Sequence, residues 1–151
     1  MSFNPKEPRF IATLVNSIEE GLVLTVGLLS GVAIAGISGT TIVLSGTIFV
    51  FTGGVSTAIR HLLAHTHEGT RQESIMIALL YIVAGIVPLL PYMLLDVSGA
   101  FTTSIVCSFA AAFIIGLWSG HQGNRVWKSA WHLAFVAVAG SVIGAIAHAA
   151  L

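Results

Sequence analysis

Long runs without charged residues are the feature that most constrains the fold of this chain. The segment from Gly21 to Ile59 contains no Asp, Glu, Lys, Arg or His, and similar runs return at 74–95, 97–120 and, apart from two histidines, 129–151. Only 8% of the residues are charged, whereas a soluble domain carries about 25%. Because a helix needs about 20 apolar residues to cross a bilayer, the runs predict membrane spans.

The first run is long enough for two helices, with a turn at 36–41 where glycines and hydroxyl side chains interrupt the apolar pattern. Helices are favoured over a β-barrel because the runs are continuous rather than alternating. The sequence therefore predicts an all-α membrane protein with five transmembrane helices, at 18–37, 41–63, 74–95, 100–119 and 129–149.

Residues 1–17 are predicted to form an N-terminal interfacial segment ahead of a five-helix transmembrane domain at 18–151. Phe10, Leu14 and Ile18 fall on one helical face, which suits a helix lying at the headgroups. The same apolar stripe fits a simple extension of the first span. A cleaved signal peptide is disfavoured, since two glutamates stand where its apolar core would begin.

The basic residues predict the orientation of the spans. With five spans, one face carries all six of them, and the opposite face carries only Asp96. The six are Lys6, Arg9, Arg60, Arg71, Arg125 and Lys128. Positive residues stay on the cytoplasmic side of a membrane, so we expect a cytoplasmic N-terminus and a C-terminus outside.

Two adjacent acids, Glu19 and Glu20, stand at the cytoplasmic end of the first span. The helix from there to the first turn is about 22 Å long, shorter than the hydrocarbon core of about 30 Å. Glu20 is therefore drawn to the edge of the core, where a carboxylate must be neutralised, paired or hydrated. Helical steps from Glu20 lead to the GxxxG motif of Gly27 and Gly31, which favours close approach of another helix. We predict Glu20 as a metal ligand at a helix seam and Glu19, on a bulkier face, as a helper or surface acid.

Arg60 provides the alternative to a metal-binding role for Glu20. It lies at the inner end of the antiparallel second span, at about the depth of Glu20. An ion pair between them would neutralise the acid without any transport role. Both acids could also simply stabilise a helix N-terminus through its dipole.

The linker between the second and third spans is rich in imidazole and carboxylate groups, which suit ferrous iron, manganese and zinc. His61 and His65 have the helical i, i+4 spacing that lets two histidines share a metal. We predict a metal-collecting patch there, and a solvated polar loop is the alternative. Its members are His61, His65, His67 and Glu68, with Glu73 nearby.

Hydroxyl and proline residues of the second and third spans are candidates for a transport path. Thr52 and Ser56 lie on a face of glycine and hydroxyl residues, which can line a wet path or allow close helix packing. Pro88 and Pro91 each remove a backbone donor. A helix broken there would expose carbonyls that transporters use to bind cations, although prolines are also ordinary in membrane helices.

Two motifs resemble a known family. The segment from Glu20 to Ala33, EGLVLTVGLLSGVA, resembles the acidic-Gly-Leu opening of the first span in the vacuolar iron transporter family. The segment GIVPLLPY at 85–92 resembles that family's third span. The resemblance covers most of 10–150. It implies proton- or sodium-coupled export of ferrous iron, sometimes manganese, through a homodimer whose ion path lies between two copies of the first span. By position, Glu20 would be the acid that meets the metal.

The chain also departs from the family pattern. The link between its second and third spans is too short for the family's glutamate-rich metal-binding domain, so it resembles a small prokaryotic-type member of the inner (plasma) membrane. The family's second span carries a methionine and a Gly-Glu-Tyr element near its inner end, and 51–60 has neither. Arg60 near the entrance would repel a cation.

Together these observations predict a homodimeric transporter of divalent cations, ferrous iron or manganese, that exchanges protons and holds no tightly bound cofactor. No nucleophile–base arrangement, phosphate-binding loop or cysteine-rich metal box indicates an enzyme, and no basic run indicates nucleic-acid binding. The alternative is the same fold without metal transport, as a carrier of another solute or as a non-catalytic subunit or scaffold. Pairing of Arg60 with Glu20 would weaken the metal hypothesis.

Overall fold

The computed structural model describes residues 8–64 and 70–118, together with residues 135, 139, 142, 146, 149 and 150. The two continuous ranges form four α-helices, each long and apolar enough to cross a membrane. They are α1 (Pro8–Ile34), α2 (Gly39–Ala64), α3 (Thr70–Leu94) and α4 (Val97–Trp118).

The prediction of an all-α membrane architecture is confirmed, but the prediction of five transmembrane helices is wrong. The described part of the chain has four helices that could span a membrane. The predicted fifth span, 129–149, lies outside the described residues apart from isolated positions. The count of five relied on the absence of charge, which permits a span without requiring one. The placement of the C-terminus outside required an odd number of spans and is withdrawn with that count.

α1 is one uninterrupted helix that begins at Pro8, ten residues before the predicted start at 18. Proline suits the first position of a helix, because its missing N–H would have no partner there and its φ is already helical. Residues 8–17 are thus continuous with the first span. Their location at a membrane interface stays a prediction.

The turn between α1 and α2 follows from a glycine. Gly36 has a φ of 75°, a left-handed conformation in which a side chain would be strained. The Gly36 N–H donates to the Ala33 carbonyl at 3.1 Å, and the Ile37 N–H donates to the Val32 carbonyl at 3.4 Å. This pair of bonds is the Schellman motif that ends many helices, so the apolar run divides into two helices where the sequence predicted a turn.

α3 is the centre of the described bundle and contacts the other three helices. It runs parallel to α1, and the close approach depends on glycine: a Cβ atom at Gly21 would overlap the Tyr81 carbonyl. α2 runs antiparallel to both and buries one stripe of residues spaced by four, which comprises Ile42, Gly46, Val50 and Gly54. The remaining large side chains of α2 are mostly exposed, as expected for a surface that meets lipid or a partner helix.

α3 remains one helix through both of its prolines and ends at Leu94. Pro88 and Pro91 are buried, and the Ser104 hydroxyl of α4 donates to the Pro88 carbonyl at 2.7 Å. The helix is therefore not broken at this point. α1 and α3 begin at the same end of the bundle, and α2 ends there. We call this the inner end, and it contains the candidate site.

Candidate functional site

A cleft of about 260 Å³ lies at the inner end of the bundle, between α1, α2 and α3. All but one of its lining residues carry a polar side chain, so polar groups gather here at the end of an otherwise apolar bundle. The lining residues are Thr13, Asn16, Ser17, Glu20, Thr57, Arg60, His61 and Ile77. Arg60 and Arg71 lie at this end of the bundle and Asp96 lies at the other; that this end is cytoplasmic stays a prediction.

α1 contributes four of the lining side chains because they are spaced by three and four residues along one helical face. Thr13, Asn16 and Ser17 precede Glu20 on that face. The prediction from the sequence included only residues after Glu20 on this stripe, so these three residues were missed. The same helical period, followed backwards, would have found them.

The central contact of the cleft is an ion pair between Arg60 and Glu20. Arg60 Nη2 donates to Glu20 Oε1 at 2.7 Å and to Thr57 Oγ1 at 2.9 Å. The alternative that the sequence offered for Glu20 is therefore present in the structure, and it weakens the hypothesis that Glu20 is a metal ligand. The contact with Glu20 is a single N–H···O bond rather than the bidentate fork that makes Arg–carboxylate pairs strong.

Solvent exposure sets the strength of this pair. The Arg60 side chain is 62% exposed and the Glu20 side chain 34% exposed. Exposed pairs of this kind contribute about 0.2–1 kcal/mol, so the Glu20–Arg60 bond is a weak link. It neutralises the acid but does not bury it.

The backbone around Glu20 is held firmly even though its side chain is partly exposed. The Ser17 hydroxyl donates to the Ile77 carbonyl at 2.8 Å in a buried contact between α1 and α3. Gly21 packs directly against the backbone of Tyr81, and the Tyr81 ring packs against Gly53 of α2. Glu20 therefore extends from a fixed point where three helices meet.

His61, which also lines the cleft, is held against the start of α3. Its Nδ1 lies 3.1 Å from Ser74 Oγ, and its Nε2 lies 3.8 Å from Glu73 Oε2. The side chains of His61 and Glu73 are only 10% and 14% exposed. The role of Ser74 was missed, because it depends on packing between α2 and α3 that spacing along the chain does not reveal.

The other members of the predicted metal sites are not brought together by the described structure. Glu19 is half-buried and does not line the cleft. His65, His67 and Glu68 lie outside the described residues. Across 8–64 and 70–118, no group of three or more His, Cys, Asp or Glu side chains could hold a metal ion.

The four candidate path residues occupy different environments. Thr52 and Ser56 are exposed on α2, and the Thr52 hydroxyl donates to carbonyls of its own helix at 2.7 and 3.1 Å. Pro88 and Pro91 are buried in α3. The structure therefore does not join these residues into one polar path within this chain. The glycines of this stretch of α2 serve close helix packing, as Gly53 does against Tyr81.

Comparisons with known proteins show similarity to three vacuolar iron transporters. Vacuolar iron transporter 1 of Arabidopsis thaliana is 41% identical over 81 residues, which cover 52% of this chain and 30% of that protein. Vacuolar iron transporter 2 of Oryza sativa subsp. japonica is 45% identical over 76 residues, 49% of this chain and 28% of that protein. Vacuolar iron transporter 1 of the same rice is 38% identical over 81 residues, 52% of this chain and 29% of that protein.

The matched regions thus span less than a third of the length of these curated relatives. A family model, that of the VIT family, matches residues 60–150, which is more than half of the chain. With its long apolar helices, the chain is an integral membrane protein, and it belongs to the VIT family.

Proposed function

We propose that this protein is a membrane carrier of divalent metal cations, with ferrous iron as the first candidate and Glu20 as the metal ligand. The observation that carries the proposal is the Glu20 carboxylate in a solvent-open polar cleft at the end of an apolar bundle. The names of the three relatives, all vacuolar iron transporters, support the choice of iron.

The chemistry of the cleft suits a cation that arrives hydrated. Glu20 supplies a carboxylate, Asn16 an amide, and Thr13 and Thr57 hydroxyl groups. Oxygen donors of these kinds bind hard and borderline divalent cations, and water completes the coordination shell. The volume of about 260 Å³ exceeds that of a bare ion and leaves room for such waters, each of which occupies about 30 Å³.

We propose a homodimer in which two copies of α1 face each other. Leu24, on the Glu20 stripe, is 39% exposed, whereas Val23 and Val26 on the packed side are 2% and 1% exposed. Gly31 on this stripe is partly exposed and would let a second helix approach closely, whereas Gly27 is buried within the bundle of one chain. The ion path would then run between the two subunits, which fits the absence of a joined path among the described residues of one chain.

Proton exchange is the proposed coupling reaction. A carboxylate must lose its proton to bind a metal, so Glu20 can hold either a proton or a cation but not both at one oxygen. The proposed location is a prokaryotic plasma membrane, with the cleft at the cytoplasmic face and ferrous iron leaving the cell.

The test is ferrous iron flux into proteoliposomes that contain the native protein, Glu20→Gln or Glu19→Gln. Glu19→Gln is the matched control, because it removes the adjacent carboxylate, which does not line the cleft. We expect Glu20→Gln to lose most of the flux and Glu19→Gln to retain it. Absence of flux for iron, manganese and zinc in the native protein would refute metal transport, and equal flux in both variants would exclude Glu20 from it.

The Glu20–Arg60 bond favours a second candidate, in which the same fold carries another solute or acts as a non-catalytic membrane subunit. In that case the ion pair is a structural link between α1 and α2. Replacing Glu20, replacing Arg60 or replacing both residues would then lower the melting temperature by the same small amount. None of these substitutions would change the affinity for metal ions.

A further inference from the structure

We infer that Arg60 is a built-in competitor for the metal: its guanidinium occupies Glu20 when no cation is bound, and a divalent cation must displace it. This inference rests on the proposed function and assigns a selectivity device to the same site.

The geometry places a positive charge at the position a cation would take. Arg60 Nη2 lies 2.7 Å from Glu20 Oε1, which is a direct contact with the proposed ligand atom. Glu20 and Arg60 both line the cleft. A cation therefore cannot bind at Oε1 until the guanidinium has moved away from it.

The displacement needs only a side-chain movement. Arg60 is 62% exposed, so water can solvate the released guanidinium without any shift of α2. Thr57, one turn earlier on the same helix, already accepts a hydrogen bond from Nη2 at 2.9 Å. This hydroxyl can keep the released side chain beside the cleft, ready to return when the cation leaves.

The charges predict selectivity for divalent over monovalent cations. A sodium or potassium ion brings the same single charge as the guanidinium and gains little by replacing it. A divalent ion brings twice the charge, and its attraction to the carboxylate is correspondingly larger at equal distance. Arg60 therefore excludes monovalent ions at the entrance and also limits the affinity for divalent ions, which favours release.

The expected size of the effect follows from the exposure of the pair. An exposed ion pair of this type accounts for up to about a fivefold factor in an equilibrium constant. Repulsion between the displaced guanidinium and a bound dication adds to that factor, because Arg60 stays near the cleft. We expect Arg60→Gln to bind divalent cations about fivefold to tenfold more tightly than the native protein.

The experiment titrates Mn²⁺ into the purified full-length protein in lipid nanodiscs and follows the free ion by electron paramagnetic resonance. The variants are Arg60→Gln, Arg60→Lys, Glu20→Gln and Arg71→Gln. Arg71→Gln is the matched control, because Arg71 is an exposed arginine at the same end of the bundle that does not line the cleft. Titrations with and without excess K⁺ measure selectivity.

We expect tighter Mn²⁺ binding and stronger competition by K⁺ for Arg60→Gln, near-native behaviour for Arg60→Lys and Arg71→Gln, and loss of the site in Glu20→Gln. Equal or weaker binding by Arg60→Gln, at a site that Glu20→Gln still abolishes, would overturn the competitor role alone. An equal gain in Arg71→Gln would also overturn it, since the effect would then be general surface charge. Absence of Mn²⁺ binding in every variant would remove the proposed function as well.

Discussion

Thr25 offers a sharp test of the packing between the helices. Its side chain is 0% exposed, and its hydroxyl has no hydrogen-bond partner in the described structure. It lies where α1, α2 and α3 meet: a Cβ atom placed on Gly85 would be 3.0 Å from Thr25 Oγ1 and 2.8 Å from Val50 Cγ2. A buried hydroxyl without a partner destabilises a fold by about 1–3 kcal/mol. Valine keeps the branched shape of threonine and removes the polar group.

We therefore expect Thr25→Val to raise the free energy of unfolding by about 1–2 kcal/mol. For a chain of this size the shift in melting temperature is about 2–4 °C per kcal/mol, so the increase should be about 2–8 °C. Thr47→Val is the matched control, because the Thr47 hydroxyl donates to the Val43 carbonyl at 2.7 Å and its removal should bring no gain. Ser104→Ala should have the opposite sign, with a loss of about 1 kcal/mol, since its hydroxyl binds Pro88.

The assay is thermal unfolding of the purified protein in one detergent, followed by intrinsic fluorescence, with the three variants compared under identical conditions. A melting temperature of Thr25→Val below that of the native protein would refute the reasoning. It would mean that the Thr25 hydroxyl has a partner in the membrane, such as a buried water, whose bond the substitution removes.

Two further predictions concern the position of α1 and the start of α4. Gly21→Ala should lower the free energy of unfolding by about 1–3 kcal/mol, because the new Cβ would overlap the Tyr81 carbonyl. Gly39→Ala is the control and should be tolerated, because its new Cβ would lie 3.5 Å from the nearest side-chain atom. Thermal unfolding of the two variants checks both expectations. Asp96 caps α4, and bonds from the Ser98 hydroxyl and a backbone amide hold the pKa of its carboxyl below the ordinary value. A lowered pKa means that the contribution of Asp96 to stability is complete above about pH 4 and is lost as the pH falls through the lowered value. The stability difference between the native protein and Asp96→Asn should therefore shrink only below about pH 4, and a difference that already declines near neutral pH would contradict the assignment.

The sequence could predict the ends of a helix where a helix-breaking residue such as glycine interrupts an apolar run. Gly36 divides the first run because its left-handed φ is a local property of glycine. The start of α1 at Pro8 could not be read from hydropathy, because residues 8–17 carry mixed polarity and their helicity is continuous with the apolar part that follows. The fifth span was an error of a different kind, since lack of charge permits a segment to cross the bilayer without requiring it to do so.

The sequence could predict which residues of the site lie at the same depth in the membrane and on the same face of a helix, but not which side chains contact each other. Antiparallel pairing of α1 and α2 places Arg60 level with Glu20, and this proximity follows from the sequence. Whether the two side chains bond depends on rotamers and on Thr57, which holds the guanidinium in place. The contact of His61 with Ser74 joins residues of two helices, and no periodicity within either helix could reveal it.

The central claim is that a metal ion replaces the guanidinium at Glu20, and locating a bound ion tests it most directly. We expect anomalous X-ray scattering from crystals of the native protein grown with Mn²⁺ to show the ion in the cleft, bound to the Glu20 carboxylate, with Arg60 turned away from Oε1. Density for Mn²⁺ only at other sites, with the Glu20–Arg60 bond intact, would contradict the account.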